Sequence, residues 1–167
     1  MLPNDLGAIS RLIGFGGPVE MGGSQEYISR TNNTQAIQFD CDFECGNIDQ
    51  VRQRDQSTFD LWMRNDTNGS NNLQWFYFRM LNPANFTKKR IRINIVNFTK
   101  GNSLFYFGMR PSFWSQKTWE NSGRGWFQGG ENVEYEISPY HGEINKMNQH
   151  KPKSYYALSF DFVFDYP

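Results

Sequence analysis

Eight consecutive residues, Leu73-Gln74-Trp75-Phe76-Tyr77-Phe78-Arg79-Met80, would put apolar side chains on both faces of any extended segment. Side chains of a strand point alternately to its two sides, so such a run predicts a central strand covered on both faces. That arrangement requires two layers. Asn82-Pro83 ends the run. Residues 103–109 (Ser-Leu-Phe-Tyr-Phe-Gly-Met) predict a second two-sided strand, halted by Arg110-Pro111. The stretch 65–72, rich in Asn, Asp and Gly, is the clearest turn, because these residues accept left-handed backbone angles cheaply.

Elsewhere the period is two with one wet face. Ile37, Phe39, Cys41 and Phe43 alternate with Gln38, Asp40, Asp42 and Glu44, and Gly46-Asn47 breaks the pattern. A polar strand over 49–54 suits an edge, and Phe59, Leu61 and Met63 mark the next one. Ile91, Ile93 and Ile95 alternate with Arg90, Arg92 and Asn94, predicting a basic outer face. A short strand over 125–128 precedes one over 132–137 with Val133, Tyr135 and Ile137 inward. Residues 138–153 read as a long polar loop, and 155–164 as a strand with Tyr156, Leu158, Phe160, Phe162 and Phe164 on its aromatic face. No helical period stands out beyond residue 34. Eight or nine strands with turn-length spacers predict an all-β fold, an antiparallel β-sandwich with meander or Greek-key connections. Residues 1–34, punctuated by Gly14, Gly16-Gly17-Pro18 and Gly22-Gly23, are expected to be a flexible or loosely packed lead-in, with the sandwich over 35–167.

A length of 167 residues fits one ordinary domain. The 15 Phe, 8 Tyr and 5 Trp favour a pleated, aromatic core. Lys plus Arg number 17 and Asp plus Glu 17, so the chain lacks the broad basic footprint of a nucleic-acid binder. No stretch approaches the ~20 apolar residues of a membrane span. Asp5 and Arg11 interrupt the opening segment, which makes a poor secretion signal. Cys41 and Cys45 would stand about 13 Å apart on one face of a strand, too far for a disulfide unless the backbone bends sharply. Reduced thiols fit a cytoplasmic home. Asn32, Asn65, Asn68, Asn85 and Asn97 each begin a glycosylation triplet, which an Asn-rich chain generates by chance.

No catalytic constellation emerges. His141 and His150 both fall in the long polar loop, and solvated loop histidines are the simpler reading than metal ligands. The two cysteines lack a second pair, and neither histidine sits in a triad-like context. Asp40, Asp42 and Glu44 alternate on one strand face as a solvated acidic edge. Trp114, Trp119 and Trp126, beside Gln116, Asn121 and Arg124, admit two readings. They either plug the open ends of the sandwich or form a sugar-stacking platform of a free-standing carbohydrate-binding module.

A series of motifs in one order resembles the N-terminal domain of the cytosolic carboxypeptidases, a branch of the zinc metallocarboxypeptidases. Phe43-Glu44-Cys45-Gly46-Asn47 fits a Phe-Glu-x-Gly-Asn stretch, and Gln74 to Phe78 a Gln-Trp-Phe-Tyr-Phe stretch. Asn97, Lys100, Ser103, Leu104 and Phe105 are similar to an Asn-x-x-Lys then Ser-Leu-Tyr stretch, and Gly108-Met109-Arg110-Pro111 is intact with Ser115 behind it. Trp126, Gly130, Val133 and Tyr135 fit a Trp-x-Arg-x-Gly-x-x-Ile-x-Tyr pattern, and 155–160 resembles the strand leading towards the catalytic domain. Gln128 stands where the family usually has Arg, and Phe105 where it often has Tyr.

The resemblance implies a non-catalytic module that packs against its own C-terminal catalytic domain and shapes substrate access. The parent enzyme would remove C-terminal or side-chain glutamates, with tubulin or other glutamate-rich proteins as partners. The zinc and its His-x-x-Glu and later His ligands would belong to that other domain, so no cofactor and no catalytic residue is carried over to this chain. Glu44, Gly46, Asn47, Gln74, Trp75, Asn97, Lys100, Arg110, Pro111 and Trp126 are the motif residues expected at the domain interface, or alternatively needed only for the domain's own turns.

Overall fold

The computed structural model describes residues 36–66, 73–81, 84–141 and 154–166. The expected lead-in over 1–34 and His150 lie outside the described residues. Nine strands are described: β1 (Gln38–Asp40), β2 (Ile48–Gln53), β3 (Thr58–Met63), β4 (Arg79–Leu81), β5 (Arg90–Phe98), β6 (Ser112–Phe113), β7 (Phe127–Gln128), β8 (Glu131–His141) and β9 (Ser154–Val163). One α-helix, α1 (Gln116–Ser122), joins β6 to β7. Five strands form one sheet in the order β2-β3-β5-β9-β8, while β1 pairs with β4 and β6 with β7. The all-β expectation holds, with one departure from antiparallel pairing among the strands. β3 and β5 run parallel, Thr58 opposite Arg92 and Leu61 opposite Ile95. Parallel neighbours need a crossover, and the chain between them supplies it by leaving the large sheet to form β4.

The inward face of the large sheet is the core. Phe59 and Leu61 on β3, Ile91, Ile93 and Ile95 on β5, and Leu158 and Phe160 on β9 are fully buried. Cross-strand register stacks them in rows: Phe59 against Ile93, and Ile93 in turn against Phe160. The short pieces cover this face as the second layer of a sandwich. Phe39 of β1 meets Phe59 at 5.2 Å, and Phe113 of β6 stacks on Phe162 at 4.5 Å. Between them, Phe76 reaches Phe98 and Phe105 reaches Tyr135.

Several expectations are corrected. Residues 73–80 are not a central strand. Only Arg79–Leu81 pairs, and with the short β1 rather than within the large sheet. Leu73, Phe76, Phe78 and Met80 turn to the core, while Trp75 and Tyr77 form the outer side, where aromatic rings cover each other instead of a third layer. Residues 103–109 are not a strand either. Tight turns fold them, Tyr106, Phe107 and Gly108 donating to the carbonyls of Ser103, Leu104 and Phe105, with Gly108 at φ 95°. Only Phe105 of that aromatic set reaches the core, so one anchor substitutes for a whole pleat.

Ile137 points to solvent rather than inward, because register shifts in β8 bring Ser138 to a buried position in its place. β8 also runs through 138–141, so the expected loop does not begin at Ser138 and His141 ends a strand. Helix α1 was not foreseen. It buries no residue, so it has no apolar period to read, yet its caps are written in the chain. Ser115 accepts from the Thr118 N–H, and Gly123 closes the helix at φ 67°. No helix among the described residues is long and apolar enough to cross a membrane.

The outer face of the large sheet is polar and fully tied. Buried Asp60 on β3 accepts from Asn94 of β5 and from the Tyr140 hydroxyl, each at 2.7 Å. Burial, then the Asp60 contact, pushes the Tyr140 phenol up. Further along, Asp161 of β9 accepts from Asn132 at 2.7 Å, Arg92 at 3.0 Å and Arg90 at 3.2 Å. Burial alone would raise its carboxyl, but Asn132, Arg92 and Arg90 together hold it below the ordinary 3.8. A carboxylate whose folded value is depressed contributes stability above its unfolded value and loses it as the pH falls through the folded one. Thermal denaturation from pH 7 to pH 3 should therefore show the wild type losing stability below about pH 4 more steeply than Asp161→Asn. At pH 7 the variant should be less stable by about 1–3 kcal/mol, since Arg90 and Arg92 each lose one of two carboxylate partners, Glu131 and Glu134 remaining. Parallel pH profiles for the two proteins would show that Asp161 does not carry this linkage.

Candidate functional site

Several of the motif residues fall on two partly exposed surfaces. The first begins at the turn after β1. Gly46 donates to the Phe43 carbonyl at 3.0 Å, with Cys45 at φ 65° in the turn and Glu44 exposed at its tip. Gly46 lies so close to Cys41 that an added Cβ would stand 2.4 Å from the Cys41 carbonyl oxygen. A glycine is required here by contact rather than by backbone angle, since any Cβ would collide with main chain.

Asn47 then acts as a splice between segments. Its Nδ2 donates to the Trp75 carbonyl at 2.8 Å and its Oδ1 accepts from the Tyr77 N–H at 2.9 Å. Its own N–H donates to the Tyr77 carbonyl at 3.1 Å, and its carbonyl accepts from Arg64 N–H at 2.8 Å. A short amide side chain thus replaces the missing ladder partner of residues 75–77.

Held this way, Tyr77 becomes the hub of an outer aromatic cluster. Phe43 meets it edge-on at 5.0 Å, Trp75 at 6.3 Å and Trp126 at 6.2 Å. The Arg79 guanidinium lies 4.9 Å over Phe43 and pairs with Asp40 at 3.4 Å. Trp75 is 59% exposed and Trp126 61%, so two large rings face solvent with a cation nearby. The sequence reading selected Trp75 and Trp126 but passed over Tyr77 and Arg79. The two-residue alternation Trp75, Tyr77, Arg79 was the signal that could have found them.

The second surface surrounds a cavity of about 360 Å³ lined by Gln74, Lys100, Asn102, Ser103, Phe105 and Phe107, among others. The Tyr135 hydroxyl donates to the Lys100 carbonyl at 2.5 Å and fixes the loop, and burial pushes that phenol up. On its rim Leu104 is 66% exposed, Tyr106 70% and Phe107 75%, a run of apolar side chains turned to solvent.

The other motif residues are placed differently. Asn97 is buried, accepting from the Met63 N–H and donating to the Met63 carbonyl, both at 2.9 Å. It ties β5 to the end of β3, and a side chain so enclosed is no glycan acceptor. Arg110 donates to the Gly130 carbonyl at 3.3 Å, and the carbonyl of buried Pro111 accepts from Gly129 at 2.9 Å. Both close the β6–β7 excursion. Trp114, Trp119 and Trp126 are all exposed, so they do not plug the sandwich ends. Among the described residues no group of three or more His, Cys, Asp or Glu side chains stands together to hold a metal.

The fold and these surfaces define an all-β domain whose connecting segments present exposed aromatic side chains. The sequence profile of the cytosolic carboxypeptidase N-terminal domain matches residues 39–132, and the chain belongs to that family. It is 31% identical to "Cytosolic carboxypeptidase 2" of Danio rerio over 157 residues, covering 94% of this chain and 20% of that protein. It is 30% identical to "Cytosolic carboxypeptidase 1" of Gallus gallus, covering 83% of this chain and 11% of the relative. With the Homo sapiens "Cytosolic carboxypeptidase 1" it shares 31% identity, over 77% of this chain and 10% of that protein. The chain thus spans a fifth or less of the length of these relatives.

Gly46→Ala tests the turn. The added methyl should cost about 1–3 kcal/mol of overpacking, read as a lowered midpoint in thermal or urea denaturation. An unchanged midpoint would mean that the Cys41–Gly46 contact is looser than described.

Proposed function

We propose that this chain is the non-catalytic N-terminal domain of a cytoplasmic zinc carboxypeptidase that removes C-terminal or side-chain glutamates. It packs on the enzyme's own catalytic domain and helps shape the approach of tubulin-type, glutamate-rich substrates. The zinc, its ligands and the general base belong to the catalytic domain. The observation that carries this reading is the exposed apolar rim Leu104-Tyr106-Phe107 beside Gln74 and Lys100, in a domain whose relatives are named as carboxypeptidases several times its length. Clusters of exposed aromatic residues mark places where another surface docks. The Trp75–Tyr77–Trp126 cluster adds a second exposed aromatic surface.

The full-length polypeptide provides the test. Leu104→Asp with Phe107→Asp should lower kcat/KM on a glutamate-tailed peptide by at least about tenfold, some 1.4 kcal/mol, while the melting point of the isolated domain stays put. Unchanged activity would remove this rim from the interface, and collapse of the isolated domain would make the two residues part of its own fold.

A second reading rests on the exposure of Trp114, Trp119 and Trp126 near Arg124, whose guanidinium lies 4.2 Å over Phe127. Rings open to solvent beside a fixed cation suit stacking on a sugar face. Under this reading, adding oligosaccharides to the domain shifts its tryptophan emission, and Trp126→Ala abolishes the shift. Silence across a broad oligosaccharide panel would exclude a free-standing glycan module.

A further inference from the structure

We propose that Cys41 and Cys45 close into a reversible disulfide when the protein meets a peroxide, making the turn that carries Asn47 a thiol switch. They are the chain's only two cysteines, and both are free thiols. In a continuous strand their spacing would hold them about 13 Å apart, against the roughly 4.4–6.8 Å between Cα atoms that a disulfide needs. The fold shortens that separation. The turn hydrogen bond from Gly46 to Phe43 and the positive φ of Cys45 bring the chain back on itself. A Cβ added at Gly46 would lie 2.9 Å from the Cys41 Cα. Cys45 is the residue next to that contact, a single trans peptide of ~3.8 Å away.

The two thiols have unequal surroundings, as a pair with distinct roles requires. Cys45 is exposed, open to a small oxidant. Cys41 is half-buried and held in place: its Sγ donates to the Ile48 carbonyl at 3.4 Å and accepts from Arg64 Nη2 at 3.4 Å. The Cys45 sulfur attacks the peroxide O–O bond and becomes a sulfenic acid, while the departing hydroxide takes the Cys45 proton and leaves as water. The Cys41 sulfur then attacks the Cys45 sulfur, forming the S–S bond and expelling hydroxide, which leaves as a second water with the Cys41 proton. Two thiols are oxidised and one peroxide is reduced. A thiol reductant reverses the reaction, the transient behaviour expected of disulfides in a reducing compartment.

Closure has a route outward. The Cys45 carbonyl accepts from the Trp75 indole N–H at 3.4 Å, and Asn47, two residues on, holds the Trp75 carbonyl and the Tyr77 N–H. Bridging draws Cys41 Sγ from Ile48 and Arg64 and alters the backbone at Cys45, so Trp75 reports the change. The bridge stands or falls independently of what docks on this face.

The experiment treats the intact chain with stoichiometric hydrogen peroxide. Intact mass, thiol titration, a non-reducing gel and tryptophan emission are followed, alongside Cys45→Ser and Trp75→Phe. The expected result is a mass lower by two hydrogens, simultaneous loss of both thiols in a monomeric band, and an emission change that dithiothreitol reverses. Cys45→Ser should retain the wild-type melting point and show none of this, whereas Trp75→Phe should form the bridge with a much smaller emission change. Stepwise gain of oxygen with one thiol still titratable, a bridge only between chains, or a bridge only after denaturation would each overturn the proposal.

Discussion

The contact on which the rest of the molecule depends is the seam between the aromatic inner face of the large sheet and the few rings that cover it. β3, β5 and β9 present Phe59, Ile93, Phe98, Leu158 and Phe160 in register, and no second full sheet exists among the described residues to bury them. Side chains from short elements and turns do so instead, Phe39, Phe76, Phe105 and Phe113 together with Leu73, Phe78 and Met80. Because each ring buries a large area, a strand of two or three residues can serve as half of a sandwich layer. The cost of such economy is that the covering pieces have little ladder of their own.

Polar side chains make up that deficit. Asn47 completes the main-chain bonding of 75–77, Asn97 that of Met63, and Arg110 with the Pro111 carbonyl closes the 129–130 corner. Buried or half-buried main-chain groups must be paired, so these residues are needed for the fold wherever the chain lacks a neighbouring strand. The same splices set the outer surface. By holding Trp75 and Tyr77 extended, Asn47 displays the Trp75–Tyr77–Trp126 cluster, and by fixing Lys100, Tyr135 places the apolar rim at 104–107. The residues that stabilise turns therefore also set which aromatic side chains face solvent.

The alternation of Phe59 to Met63 and of Ile91 to Ile95, and the aromatic face Tyr156 to Phe164, put β3, β5 and β9 within a residue or two of where they lie, and the polar stretch 49–54 did the same for the edge strand β2. The motif order pointed to the family that the comparisons show. The two-sided runs misled. Trp75 and Tyr77 look buried by type, as do Leu104, Tyr106 and Phe107, yet a residue's apolar character states only what burial would gain and not whether a layer exists to provide it. Helix α1 lay hidden for the opposite reason, since it buries nothing and only its caps are encoded.

Local chemistry sets the period of each strand, the turn at Gly46 and the caps of α1, because these depend on neighbours within a few residues along the chain. An all-β domain, its one-face-wet strands and its family follow from the residues alone. Tertiary contacts alone make β3 and β5 run parallel and splice 73–78 by an amide instead of pairing it in a sheet. Those outcomes turn on contacts between segments 30 or more residues apart, such as Asn47 with Tyr77. No periodicity within a segment encodes them, since each side of the contact is satisfied only by the geometry of the other.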